Sequence, residues 1–404
     1  MTQTLNSSVT ETGESPAESD LLGTYRRAPM TFLRGAGVEL FDEQGKAYLD
    51  FASGIAVNAL GHGDAGIKDA MERAMASGLI HVSNLYRTEP AERLASSLVA
   101  RSFASKVFLC NSGAEANEGA FKFARKWART TASDRKTGIV ALRGAFHGRL
   151  FASLAATDRP SYRAPFEPLA GGVSIHERDL SDLEAALDGE LVAALIVEPV
   201  QGEGGVRVLD ADLLRSLRSI TTRRRIALIF DEIQCGLGRL GTFLAHESFG
   251  VVPDMVTLAK PMAGGLPMGA VLVSREISET ISAGDHGTTF GGGPFVASVA
   301  EHVVHRLADP ELLASVSSNG KWLGEQLNAM ALRTGRVRAV RGMGYMWGID
   351  VVEKASDVME RAWGDGLLVI TAGDHTLRLL PPLVMKRTDL ERGLGMLERS
   401  LTLK

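Results

Sequence analysis

Ile226-Ala-Leu-Ile-Phe-Asp231-Glu232-Ile-Gln234 is the stretch on which the fold turns. Five apolar residues in a row read as a strand buried on both faces. The carboxylate of Asp231 then falls at the strand's C-terminal end, the edge where open α/β sheets place groups that meet ligands. A buried acid there calls for a cationic partner. Equally, Asp231 or Glu232 could do no more than cap the following turn. The next apolar run, Met255-Val-Thr-Leu-Ala259, ends in the same way on Lys260, with Pro261 and Gly264-Gly265 behind it. That lysine is either a surface amine at a strand exit or an amine aimed into the same crevice as Asp231. Burial and neighbouring cations lower a lysine's pKa enough to make the neutral, nucleophilic amine available. Further β-rich runs at 107–110, 138–142, 191–197 and 270–273 alternate with helical stretches, so the fold class is α/β with a mostly parallel or mixed sheet.

Outward from this centre, 38–41 and 46–49 read as a hairpin whose turn, Asp42-Glu43-Gln44-Gly45, is closed by glycine. Helical patterns dominate from 294 to about 330, and the last hundred residues mix strand candidates (345–352, 367–370, 376–380) with helices. The predicted organisation is a tail at 1–20, an N-terminal segment at 21–75, a large domain at 76–307 and a smaller α+β domain at 308–404. The tail is rich in Ser, Thr and Glu and too poor in apolar residues to order itself. It matches neither a secretory signal nor a mitochondrial transit peptide.

Composition narrows the function classes. The 404 residues are 45% hydrophobic and 23% charged, and no apolar run approaches the roughly 18 residues of a membrane span. Forty-four Lys and Arg against 48 Asp and Glu leave a formal charge of −4, which offers no electrostatic footprint for nucleic acid. The two cysteines, Cys110 and Cys235, form no disulfide framework and no zinc-ligand spacing. No metal site is expected, and a reducing cytoplasm fits best.

A third chemical fragment is Asn111-Ser112-Gly113-Ala114-Glu115, ahead of an amphipathic helix with Ala116, Ala120, Phe123, Ala124 and Trp127 on one face. Free N–H groups at such a helix start suit a phosphate, although an ordinary Ser N-cap would look the same. Gly236-Leu-Gly238-Arg-Leu-Gly241 matches the dinucleotide pattern G-x-G-x-x-G, but five residues separate it from its strand and no ribose-binding acid follows. The cofactor that wants an acid, an amine and a phosphate nest in one crevice is pyridoxal 5'-phosphate.

With these residues in view, the chain resembles the class-III aminotransferases of fold type I, most of all the acetylornithine and ornithine aminotransferases. The resemblance runs from about Tyr25 to the end. It rests on ordered motifs: Phe51-Ala-Ser-Gly-Ile-Ala-Val-Asn-Ala-Leu-Gly-His62, Asn111-Ser-Gly-Ala-Glu-Ala116, Ala145-Phe-His-Gly-Arg149, Glu198-Pro-Val-Gln-Gly-Glu-Gly-Gly205, Asp231-Glu-Ile-Gln234, Leu258-Ala-Lys260, His286-Gly-Thr-Thr-Phe-Gly-Gly292 and Arg378-Leu-Leu-Pro-Pro382. Pro261, Leu150 and Gly293 depart from the family's habit without removing a chemical group invoked here.

The resemblance implies a large cofactor-binding domain around a mostly parallel sheet, plus a smaller α+β domain. It assigns Lys260 as the catalytic amine that also holds pyridoxal phosphate. Asp231 would protonate the pyridine nitrogen, Gln234 would reach the phenolic oxygen and Phe146 would stack on the ring. Ser112, Gly113 and Ala114 would form the phosphate nest, and Glu198 would belong to the same cofactor site. Thr289 would reach the phosphate from a second subunit, with Thr288 beside it near the substrate. For substrate, Arg149 would take the carboxylate far from the reacting amine and Arg378 the α-carboxylate of glutamate. Glu203 would pair with Arg378 when no glutamate is bound, and Tyr25 would touch the substrate's distal end. The expected enzyme is a homodimer with its site at the subunit interface. It would pass the terminal amine of N-acetylornithine to 2-oxoglutarate, giving glutamate, in arginine biosynthesis. Ornithine, succinylornithine, 4-aminobutyrate or a lysine-pathway amine are the rival donors, with an aminomutase and a non-catalytic cofactor-binding protein as further alternatives.

Overall fold

The computed structural model describes residues 20–402, so the predicted tail lies, apart from Asp20, outside the described residues. The chain opens with an antiparallel three-strand meander, β1 (Phe32–Ala36), β2 (Glu39–Asp42) and β3 (Ala47–Asp50). The predicted hairpin is β2–β3, with Gly45 at φ +80° in its turn.

The next strands are β4 (Lys106–Cys110), β5 (Gly138–Leu142), β6 (Val173–His176) and β7 (Val192–Val197), followed by a short antiparallel pair, β8 (Val200–Gln201) and β9 (Arg207–Val208). Then come β10 (Ala227–Asp231), β11 (Met255–Leu258) and β12 (Gly269–Val273). Seven of these form the central sheet in the order β4-β12-β11-β10-β7-β5-β6. Every neighbouring pair is parallel except the two made by β12, which runs against both β11 and β4. Because β12 reverses twice, β4 points the same way as β10 and β11, and its C-terminus reaches the same edge.

The near-continuous apolar runs follow from coverage on both faces. Along β10, Ala227 and Ile229 pack with Ala116, Ala120, Phe123, Ala124 and Trp127 of the helix Gly113–Thr131. Leu228 and Phe230 point to the other layer, with Leu217 and Ile220 of the helix Ala211–Arg224. All five residues predicted for the buried face of the 113–131 helix are buried.

Residues beyond 309 begin with the helix Pro310–Thr334 and add β13 (Val337–Met343), β14 (Met346–Val351), β15 (Leu367–Leu368), β16 (Ile370–Thr371) and β17 (Thr376–Leu379). The run expected as one strand at 367–370 is two. Leu367 pairs in parallel with Leu49 of β3, while Ile370 pairs with Arg378 of β17 in the sheet β13-β14-β17-β16. Five strands escaped the sequence reading: β1, the two-residue β8 and β9, and the longer β6 and β13. β6 is a half-polar edge strand, and β13, Val-Arg-Ala-Val-Arg-Gly-Met, carries charges on an exposed flank.

Leu228 sits fully buried in the strand that carries Asp231. Leu228→Ala is therefore expected to lower unfolding stability by about 2–5 kcal/mol, measured as a shift of the urea midpoint at constant slope.

Candidate active site

The C-terminal ends of β4, β5, β7, β10 and β11 open on one cavity of about 410 Å³, lined by Ser112, Gly113, Ala114, Phe146, His147, Arg149, Glu198, Glu203, Asp231, Gln234 and Lys260 among others. The residues gathered there come from five loops of one sheet edge, as the strand-end positions of Asp231 and Lys260 implied.

Asp231 is the last residue of β10 and is 3% exposed. Its Oδ2 accepts from Asn117 Nδ2 at 2.8 Å and lies 2.8 Å from His147 Nδ1, while Oδ1 accepts from the Ile233 N–H at 3.1 Å. In place of the lysine or arginine expected for a buried acid, an imidazole and an amide meet it. Among the described residues, His147 Nε2 and Asn117 Oδ1 are themselves buried without a hydrogen-bond partner, so this polar group is only half satisfied.

Lys260 is separated from the end of β11 by Ala259 alone and holds φ +23°, a left-handed backbone setting that side-chain-bearing residues rarely adopt. Burial lowers its ammonium pKa, and Arg378 lowers it further, while Asp231, Glu203 and Glu198 oppose the shift. Glu198, next after β7, accepts the Phe146 N–H at 2.8 Å on one oxygen and the Gly202 N–H at 3.1 Å on the other. Burial pushes its carboxyl up to about 7 against the pull of His147.

Arg378, on β17, is 2% exposed. One guanidinium nitrogen donates to Gln234 Oε1 at 3.1 Å and another to Glu203 Oε1 at 2.7 Å, while Nε has no partner. Arg149 is exposed at the mouth, its guanidinium carbon 3.7 Å above the Tyr162 ring and 5.8 Å from that of Phe146. Ser112 caps the 113–131 helix, its hydroxyl accepting from the Glu115 N–H at 3.2 Å. A Cβ at Gly113 would meet Ile233 Cδ1 at 2.7 Å, so only glycine lets the helix start close against the loop after β10.

Four of the candidate residues lie outside the cavity lining: Arg378, which meets it only through Gln234 and Glu203, and Tyr25, Thr288 and Thr289. Tyr25 is 76% exposed and Thr289 is exposed. Thr288 is tied to the rim, its hydroxyl accepting from Asn111 Nδ2 at 3.0 Å. Conversely, Asn117, Ile233 and the segment Gly265-Leu266-Pro267-Met268 were not singled out in the sequence, and His147 appeared there only within a motif. Asn117 did leave a signal: it stands one turn after Gly113 on the apolar helix face, next to Ala116. The Gly236–Gly241 loop does not approach this cavity. A Cβ at Gly238 would meet Leu383 Cδ1 at 2.9 Å, and one at Gly241 would meet Ser317 Cβ at 2.9 Å, so these glycines permit close packing.

Among the described residues, no group of three or more His, Cys, Asp or Glu is placed to hold a metal, and no helix is long and apolar enough to cross a membrane.

Comparison with known proteins gives a consistent neighbourhood. The family model described as aminotransferase class-III matches residues 24–401. The mitochondrial acetylornithine aminotransferase of Alnus glutinosa is 45% identical, over 94% of this chain and 85% of that one. The crystal structure of N-acetylornithine aminotransferase from Stenotrophomonas maltophilia superposes with a TM-score of 0.81 at 37% identity, covering 93% of this chain and 96% of that one. An ornithine aminotransferase from Toxoplasma gondii, whose structure has partial occupancy of PLP at its active site, superposes with a TM-score of 0.89 at 27% identity, covering 94% and 92%.

Glu232, behind Asp231, is 1% exposed and accepts the backbone N–H groups of Ala245 and His246. Burial pushes its carboxyl up to about 8. An unfolded glutamate releases its proton near about 4.3. Between those values the folded state binds the extra proton, so stability falls as pH rises through this window. The urea midpoint is expected to drop from about pH 5 to pH 8, and Glu232→Gln to make that drop shallower.

Proposed function

The chain belongs to the class-III aminotransferases, and from that membership we propose that it moves the terminal amine of N-acetylornithine, or a close analogue, to 2-oxoglutarate. The products are the N-acetylglutamate semialdehyde and glutamate, and the setting is arginine biosynthesis. The single observation that carries the reading is a cavity lined by a partly buried lysine and the Arg149 guanidinium, with a second guanidinium, Arg378, bonded to the lining residues Gln234 and Glu203. Arg149 is free at the mouth, and Arg378 is neutralised by Glu203. The relatives named acetylornithine aminotransferase support the donor.

Class-III aminotransferases work with pyridoxal 5'-phosphate, and the cavity's residues fit it. A buried acid stands half satisfied at the strand end, an amine of lowered pKa is close by, and a helix start opens on glycine. Lys260 would hold the cofactor. Asp231, Gln234, Phe146 and Glu198 would surround its ring, and Ser112, Gly113 and Ala114 its phosphate. When bound, the cofactor supplies an aldehyde that condenses with amines and a pyridinium ring that takes up the electron pair released at the neighbouring carbon.

The chain's own groups do the rest. Asp231, fixed by Asn117 and His147, would keep the cofactor's pyridine nitrogen protonated. Lys260 Nζ, its positive charge disfavoured by burial, would be the base that takes the proton from the substrate carbon and the acid that gives it up to the cofactor carbon. Arg149 reads the carboxylate remote from the amine in the donor. Arg378, released from Glu203, reads the α-carboxylate of glutamate, and a guanidinium fork suits both tasks. We further read Thr288, Thr289 and the exposed Tyr25 as residues completed by a second copy of the chain, in a homodimer. The units 76–307 and 308–404, with 21–75 packed on the latter, are supported by the β3–β15 pairing. Two buried free cysteines, Cys110 and Cys235, support a reducing cytoplasm.

The test is the visible spectrum of the cofactor-loaded protein, before and after N-acetylornithine is added without an oxo acid. Conversion to the amine form, reversed by 2-oxoglutarate, is the expected outcome; a spectrum that responds only to ornithine or 4-aminobutyrate replaces the donor. Lys260→Ala is expected to remove turnover while leaving the thermal unfolding of the apoprotein near wild type. Arg149→Ala is expected to weaken both half-reactions about 10- to 100-fold, whereas Arg378→Lys weakens chiefly the glutamate half.

A further inference from the structure

The Gly236–Gly241 loop, unused by the cavity, carries the largest of the fully buried side chains. Arg239 is 1% exposed, and no carboxylate lies within ion-pair distance of it among the described residues. Its neighbours of opposite tendency, Tyr345 and Asp50, do not prevent burial from lowering the guanidinium pKa to about 9. A cation buried on such terms costs stability, so its value lies in what it holds. It holds two backbone carbonyls: Nη1 donates to Tyr345 O at 3.2 Å and to Pro381 O at 2.5 Å, while Nη2 is unpartnered. Its own carbonyl accepts the Tyr345 N–H at 2.9 Å, and the Tyr345 hydroxyl donates to Met385 O at 2.9 Å.

Pro381 is three residues beyond Arg378, in the segment Arg378-Leu-Leu-Pro-Pro382. The loop that follows β10 therefore grips the Arg378 strand at two points. Gln234, near its start, meets the Arg378 guanidinium at 3.1 Å, and Arg239, near its end, fixes the carbonyl just past that strand. Close glycine packing allows this approach: a Cβ at Gly344 would meet Arg239 O at 2.4 Å, and one at Gly238 would strike Leu383. Moreover, the loop departs from Asp231 at the end of β10, so the two grips tie the acid's strand end to the second carboxylate reader.

We propose that Arg239 is a positioning residue for Arg378, acting through Pro381 and Tyr345, and that it serves the glutamate/2-oxoglutarate half-reaction and not the donor half. The proposal rests on the reading of Arg378 as the reader of the α-carboxylate. It differs from a stability role, since a fold-wide effect would weaken both halves alike.

The experiment is single-turnover kinetics on cofactor-loaded Arg239→Met, Arg239→Lys and Arg378→Lys, each half-reaction measured separately with N-acetylornithine and with glutamate. Expected is a loss of up to about 100-fold for glutamate in Arg239→Met, partial recovery in Arg239→Lys, and a donor half near wild type in both. Equal losses in the two halves, or no loss in a variant whose cofactor spectrum and thermal unfolding are normal, overturns the proposal. If Arg239→Met does not accumulate folded, Arg239→Gln and Arg239→Lys carry the same comparison. If Arg378→Lys leaves the glutamate half unharmed, the underlying reading of Arg378 has failed; if only the Arg239 variants lack the split, the positioning role alone has failed.

Discussion

A carboxylate that water does not reach governs the arrangement of the rest. An isolated ion at the depth of Asp231 would cost several kcal/mol, and the chain meets that cost from three directions: Asn117 on the 113–131 helix, His147 on the loop after β5, and the Ile233 N–H on its own loop. Each donor belongs to a different segment, so the acid is satisfied only when helix, sheet and both loops are in register. The sheet supplies that register. Asp231 pairs in parallel with Thr257, which places Lys260, three residues on, at the same edge. The helix start at Gly113 can close against the loop because no Cβ intervenes.

From that constraint the electrostatics follow. Lys260 and Glu198 shift in opposite senses for one reason, burial that disfavours charge on each. Glu198 gains from its position by strapping two loops: it accepts the Phe146 N–H with one oxygen and the Gly202 N–H with the other. A single side chain thereby links the aromatic wall of the cavity to the turn carrying Glu203. Among the described residues His147 is the only imidazole lining the cavity, touching Asp231 and drawing the Glu198 carboxyl down.

The parts legible in the sequence were those whose chemistry coincides with a strand end. Asp231 and Lys260 terminate apolar runs, and the helix behind Ser112 shows its buried face by spacing alone. What escaped was set by tertiary proximity. Asn117 reads as a helix residue until Asp231 is placed beside it, and His147 reads as a loop residue until its Nδ1 is found 2.8 Å from that acid. β13 escaped because its arginines mask the strand pattern; one of them, Arg341, is committed to Asp350 across the sheet. The run at 367–370 divided because its two ends pair with strands more than three hundred residues apart in sequence, β3 and β17. Local pattern cannot express that.

On the proposed reading, the two arginines let one site accept substrates of different charge. Arg378 is buried, so it needs a carboxylate at all times, and Glu203 provides one while remaining partly open to solvent. On that reading, replacing Glu203 by a substrate carboxylate would exchange one guanidinium–carboxylate pair for another. The net cost is then only that of moving a half-exposed side chain, and the exchange stays reversible. Arg149 needs no such substitute, because it is exposed and rests on the face of Tyr162, where an aromatic ring stabilises a cation without neutralising it. On the proposed reading, the donor meets one open guanidinium and one closed, while glutamate meets both open. The distinction between the substrates thus lies in burial: the arginine that must always be paired is the one that can be switched.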